Sequence, residues 1–141
     1  MRARDIMRAD PACVTPSDTV EMAAQRMLEC DCGALPVVEN GDTRKVVGVV
    51  TDRDITVRAV AKGMGPTAKV SEVMSKSVSV CPADADVADV ERTMADRQIR
   101  RVVIVDDDEC CVGIVSQADI ARAADHSDVA IVVERISESR A

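Results

Sequence analysis

Thr51 and Asp54 stand three residues apart in Gly48-Val49-Val50-Thr51-Asp52-Arg53-Asp54-Ile55. Ser116 and Asp119 repeat that spacing in Gly113-Ile114-Val115-Ser116-Gln117-Ala118-Asp119-Ile120. In each copy a small apolar run ends at a hydroxyl residue, and a carboxylate follows where a helix should begin. A Ser or Thr at a helix N-terminus leaves backbone N–H groups and the positive end of the helix dipole facing outward, which favours phosphate. A carboxylate one turn on can accept two hydrogen bonds from adjacent sugar hydroxyls. The pair therefore has the chemistry to grip a phosphorylated polyol. The purely structural alternative is that Asp54 and Asp119 cap their helices.

The elements that must position these pairs are themselves duplicated. Arg4-Asp5-Ile6-Met7 is echoed by Ser71-Glu72-Val73-Met74, and an offset of 67 relates Met7 to Met74, Val20 to Val87 and Met27 to Met94. Two copies at this period predict paired half-domains, since a solenoid needs at least three. In the first copy an extended piece over 11–14 leads to Asp18 and Glu21, spaced as a capping box. The following helix places Val20, Ala23, Ala24, Met27 and Leu28 on one face and should end at Gly33. Residues 34–38 form a buried strand, Asn40-Gly41 a hairpin turn, and 46–51 the return strand. A helix then runs from Asp52 toward Ala61, and Gly63-Met64-Gly65-Pro66 stops it. The second copy repeats the order, with an extended piece near 78–80, a turn at Pro82, a helix over 87–97, strands over 101–105 and 112–116, and a helix over 117–124. Each half is strand-helix-strand-strand-helix, an α/β (α+β) mixture. The expected boundaries are 1–63 and 71–125 for the repeats, 64–70 for a linker, and 126–141 for an amphipathic helix. In that last segment Val129, Val132, Val133 and Ile136 share one face, either docked on the chain itself or offered to a second subunit.

Composition narrows the function. With 18 basic against 25 acidic residues the net charge is −7, which opposes generic binding to nucleic acid through phosphate neutralisation. The absence of Phe, Tyr and Trp removes the stacking platforms of single-strand binders, so a purine here would lie between aliphatic side chains. No apolar run approaches the roughly 20 residues of a membrane span. The N-terminus does not read as a signal peptide, and a cytoplasmic location is expected. The six cysteines are expected as reduced thiols acting as small hydrophobes, with a redox or metal switch as the alternative. Cys30-Asp31-Cys32 and Cys110-Cys111 are closer than a zinc knuckle allows, and His126 is the lone histidine. No nucleophile-base arrangement and no phosphate-cradling Gly-rich loop is present, so no enzyme is expected.

From Arg4 to Ala124 the chain resembles a tandem pair of CBS domains, and its short length is similar to stand-alone CBS pairs of the hypoxic-response type. The resemblance is carried by Asp5-Ile6-Met7 and Glu72-Val73-Met74, by residues 33–38 and 99–105, and by the two Gly-to-Asp motifs. It implies two CBS repeats packed sheet to sheet with pseudo-twofold symmetry, and clefts between the repeats that hold AMP, ADP, ATP or S-adenosylmethionine, with NAD also considered. Thr51 and Asp54 would serve one cleft and Ser116 and Asp119 the other, the aspartates taking the ribose diol. Val49 and Ile114, with the backbone of Cys32, Gly33 and Ile99, would flank the base. The pieces Ala12-Cys13-Val14 and Val78-Ser79-Val80 would close the clefts from the opposite repeat.

The copies differ where phosphate should be neutralised. Arg100 and Arg101 align with Gly33 and Ala34, so the Asp119 cleft should bind phosphate better. Alternatively, the two arginines pair with the acids at 106–108. The resemblance further implies a regulatory sensor acting on an unknown partner protein. It also implies a homodimer in a disc of four repeats, joined through the helices after Thr51 and Ser116, with no metal required. The competing readings are a thiol redox or metal switch using Cys30, Cys32, Cys110 and Cys111, and a ligand-free interaction module.

Overall fold

The computed structural model describes residues 1–123. The stripe expected over 126–141, together with His126 and the last residue of the closing helix, lies outside the described residues. Two compact units are present. One comprises Pro11–Val78 with Asp108–Cys111, and the other Met1–Asp10, Ser79–Asp107 and, of the described chain, residues 112–123.

The first-repeat unit is built around helix α2, Val20–Cys30. Its N-cap is Thr19, whose side chain accepts from the Met22 N–H at 3.2 Å. The expected Asp18–Glu21 box does not form, because the Asp18 carboxylate closes the preceding turn by accepting from the Thr15 N–H at 2.8 Å. The buried stripe is also narrower than the periodicity suggests. Val20, Ala23 and Met27 face the core, while Ala24 is exposed and Leu28 is 82% exposed. The helix ends at Asp31, not Gly33, in a left-handed cap with φ 52.

Strand β2 (Ala34–Val38) is buried throughout and pairs antiparallel with β3 (Val46–Thr51), with Ala34 opposite Thr51. The Asn40 side-chain oxygen accepts from the N–H groups of Asp42 and Thr43 and shapes the connecting turn. A parallel bridge joins Val14 to Val37 on one side, and an antiparallel bridge joins Ser75 to Val49 on the other. After Thr51 come a short helix α3 (Asp52–Asp54), a π-helical turn (Ile55–Ala59) and a 3-10 turn (Val60–Lys62). Gly63 stops them at φ 74, as expected of a helix-ending glycine.

Residues 64–70, expected as a linker, are tied down. The Ala68 and Pro66 carbonyls accept from Val20 and Glu21, satisfying N–H groups that the first turn of α2 would leave orphaned. Val70 and Val73 are fully buried with Val14, Leu35, Val37 and Val50.

In the second-repeat unit helix α1 (Ala3–Ile6) precedes a four-stranded sheet in the order β1-β6-β5-β4. Here β1 is Arg8–Ala9, β4 Val80–Pro82, β5 Arg101–Val105 and β6 Cys111–Ser116. Strand β1 runs antiparallel to β6 and β4 parallel to β5. Pro82 closes β4 and the turn follows it, a correction to the turn expected at Pro82 itself. Helix α4 (Val87–Arg97) buries Val87, Val90 and Met94, and α5 covers Gln117–Ala123.

The two units share one plan. The Arg8↔Ile114 pairing corresponds to Ser75↔Val49, and Cys81↔Ile104 to Val14↔Val37. They also show that sequence repeats and compact units do not coincide. The leading segment of each repeat packs in the unit built by the other, with Ala3 in the second-repeat core and Val73 in the first-repeat core. The motif glycines permit this. A Cβ on Gly48 would sit 2.6 Å from the Ser75 carbonyl oxygen, and one on Gly113 would collide with the Met7 sulfur.

Candidate functional site

Each hydroxyl–carboxylate pair is a closed capping box. The Thr51 N–H donates to Asp54 Oδ2 at 2.9 Å, and the Asp54 N–H donates to Thr51 Oγ1 at 3.1 Å. In the second repeat the Ser116 N–H reaches Asp119 Oδ2 at 2.7 Å, its hydroxyl reaches the same oxygen at 2.9 Å, and the Asp119 N–H returns to Ser116 Oγ at 3.2 Å. The carbonyl of the residue just ahead of β2 or β5 also holds the first helical N–H in each copy. Gly33 accepts from Asp52 at 2.9 Å, and Arg100 accepts from Gln117 at 2.9 Å.

The outward-facing N–H groups expected after Thr51 are therefore absent. Asp52, Arg53 and Asp54 donate to Gly33 O, Asp52 Oδ1 and Thr51 Oγ1, which leaves no open phosphate cradle there. What each pair keeps is one carboxylate oxygen, Oδ1, outside the box. At Asp54 that oxygen has Arg58 at 3.8 Å, and the side chain is 17% exposed. At Asp119 it is held by Arg8 at 3.4 Å and by Arg122, and the side chain is 1% exposed.

These arginines are the residues sequence reasoning missed. Arg122 lies three positions after Asp119, a helical spacing that signals contact. Arg8 lies far away in sequence, and only the pairing of β1 with β6 brings it there. Arg100 and Arg101, expected as the phosphate cations, are exposed.

Of the other candidates, Val49 and Ile114 are half-buried on the return strands, each two residues before Thr51 or Ser116. Cys32, Gly33 and Ile99 are half-buried just ahead of β2 and β5. Val14 is 1% exposed, so its side chain belongs to its own unit's core, and its backbone is engaged with β2, its N–H donating to the Pro36 carbonyl and its carbonyl accepting from the Val38 N–H. Ala12 and Val80 are exposed and Val78 half-buried. One cysteine expectation is overturned, because Cys30 and Cys32 are joined as a disulfide. The left-handed turn at Asp31 brings their Cα atoms to 5.4 Å, inside the range a disulfide spans. Cys13, Cys81, Cys110 and Cys111 are not disulfide-bonded. Among the described residues no three His, Cys, Asp or Glu side chains are grouped to hold a metal ion, and no helix is long and apolar enough to cross a membrane.

A duplicated sheet-and-helix unit with a hydroxyl–carboxylate box at each return strand defines a tandem-repeat module. The CBS domain matches residues 3–60 and 70–126, so the chain belongs to the CBS-domain family. Hypoxic response protein 1 of Mycobacterium tuberculosis is 41% identical over 121 residues, covering 85% of this chain and 82% of that one. The crystal structure of Hypoxic Response Protein I with two coordinated zinc ions is similar, with a TM-score of 0.77 at 40% identity, over 86% of this chain and 98% of that chain. The CBS domain pair of protein MJ0100, solved with 5′-methylthioadenosine and S-adenosyl-L-methionine, matches with a TM-score of 0.77 at 28% identity over 87% and 94% of the two chains. CBSX2 in complex with AMP matches with 0.75 at 27% identity over 87% and 95%.

Proposed function

We propose that this chain is a non-catalytic regulatory module that binds an adenine nucleotide at its two hydroxyl–carboxylate pairs and passes the bound state to a partner protein in the cytoplasm. The observation that carries the reading is the capping box itself. It pins Asp54 and Asp119 rigidly while leaving Oδ1 outside the box, where a ribose diol can donate to it. Val49 and Ile114, Gly33 and Ile99 supply the aliphatic and backbone walls for the base. Arg8, Arg58 and Arg122 supply cations for phosphate, with Arg100 and Arg101 near the second pair. Related CBS pairs solved with S-adenosyl-L-methionine or AMP support the ligand class.

Calorimetry against AMP, ADP, ATP, NAD and S-adenosylmethionine tests this. Saturable binding of at least one is expected, weakened by about tenfold or more in Asp54→Ala, since a hydrogen bond to a charged group contributes about 1.5–3 kcal/mol. No saturable heat from any of the five would overturn the reading, and ATP turnover lost in Asp54→Ala would replace it with an enzyme.

A second reading, a metal or thiol switch, is favoured by the two zinc ions coordinated in Hypoxic Response Protein I. Thiol titration with and without zinc separates the two readings, because a nucleotide sensor shows unchanged thiol reactivity on adding zinc.

A further inference from the structure

We propose that Cys30 and Cys32 form a reversible dithiol–disulfide site that exchanges electrons with a dithiol while the backbone around it keeps its shape. The second repeat provides the control. Arg97-Gln98-Ile99 occupies the place of Cys30-Asp31-Cys32, and its cap is the same without any sulfur bond. Gln98 has φ 54 and ψ 46, where Asp31 has φ 52 and ψ 50. Ile99 donates to the Met94 carbonyl at 3.0 Å, as Cys32 does to that of Met27 at 3.0 Å. Hydrogen bonding and the left-handed turn therefore build this cap alone, and the disulfide is surplus to the fold.

Chain entropy agrees. A disulfide stabilises by an amount that grows with the logarithm of the loop it closes, and a separation of 2 puts this one at the short end of that scale. The pair is also accessible, with Cys30 exposed and Cys32 half-buried, whereas Cys81 and Cys111 are buried. A bond that is exposed, preorganised and unnecessary for folding can open and close without structural cost.

In the exchange a thiolate of the dithiol attacks the exposed Cys30 Sγ. The Cys30–Cys32 bond breaks and Cys32 leaves as a thiolate that takes a proton from water. The dithiol's second thiolate then attacks its own sulfur in the mixed disulfide and expels the Cys30 thiolate, which is also protonated. The dithiol departs oxidised to a disulfide, and the protein has gained two electrons and two protons. The reverse sequence closes the bond.

The test equilibrates the full chain in stepped ratios of reduced and oxidised dithiothreitol, traps thiols with N-ethylmaleimide, and reads the peptides by mass. Cys30 and Cys32 should pass together from unmodified to doubly alkylated, with the same midpoint approached from either side. The reduced chain and the Cys30→Ser/Cys32→Ser variant should melt within about 5 °C of the oxidised protein. Alkylation of both cysteines at every ratio, protection at every ratio, or a larger loss of melting temperature on reduction would overturn the proposal.

Discussion

Asp54 and Asp119 perform the same backbone task with different freedom, and the difference lies in what holds the second oxygen. Oδ1 of Asp54 has one arginine at 3.8 Å, while that of Asp119 is engaged by Arg8 and Arg122. A ribose reaching Asp119 must displace at least one guanidinium. A phosphate can compensate by taking that arginine over, and adenosine cannot. This alters the ranking expected from Arg100 and Arg101 alone. If AMP binds, adenosine should lose all but about a tenth or less of its affinity in Asp54→Ala, while AMP keeps a second, Asp119-dependent site. Calorimetric titration of the two ligands into Asp54→Ala and Asp119→Ala measures this. Adenosine binding that survives Asp54→Ala and is lost in Asp119→Ala would show that the arginines do not guard Asp119.

At the scale of elements, the return strands β3 and β6 determine where each pair sits, and their glycines let a foreign segment lie against them. Gly48 receives Ser75 and Met74, and Gly113 receives Met7 and Arg8. Backbone cannot yield as a flexible side chain can, so overpacking at Gly48 forces the strand bridge at Val49 apart. Gly48→Ala should therefore destabilise the protein by about 1–3 kcal/mol in a urea melt. Gly41→Ala, at a turn position with open space around it, should change stability by less than about 0.5 kcal/mol. Equal effects at the two positions would mean that the packing at Gly48 is not tight in solution.

For the whole molecule, the exchange of leading segments makes each unit depend on sequence from both repeats. Val70 and Val73 complete a core begun by residues 14–50, and Ala3 completes one built from 81–120. The surface left over carries apolar residues on the helical segment after Thr51, where Val57 is 43% and Val60 67% exposed. That is where the family resemblance expects a second copy to dock. A dimer mass is expected by light scattering at micromolar concentration, and Val60→Asp should shift it toward monomer, since a buried unpaired carboxylate costs several kcal/mol. A wild-type monomer, or a Val60→Asp dimer of unchanged affinity, would exclude this face.

By itself the sequence determined the repeat, the strands 34–38, 46–51 and 101–105, the helix 87–97 and the two hydroxyl–carboxylate pairs. Period, turn chemistry and helix-start spacing are all short-range properties that neighbouring residues enforce on one another. It misjudged α2's cap and width, because Asp18 was drawn into a turn with Thr15 and Leu28 stayed 82% exposed. Only the tertiary structure decided that Met1–Asp10 belongs with the second repeat, that Arg8 reaches Asp119, and that the N–H groups after Thr51 are already satisfied. Those contacts join segments distant in sequence or spend donors that a motif leaves unassigned. Nothing in local spacing specifies which distant partner claims them.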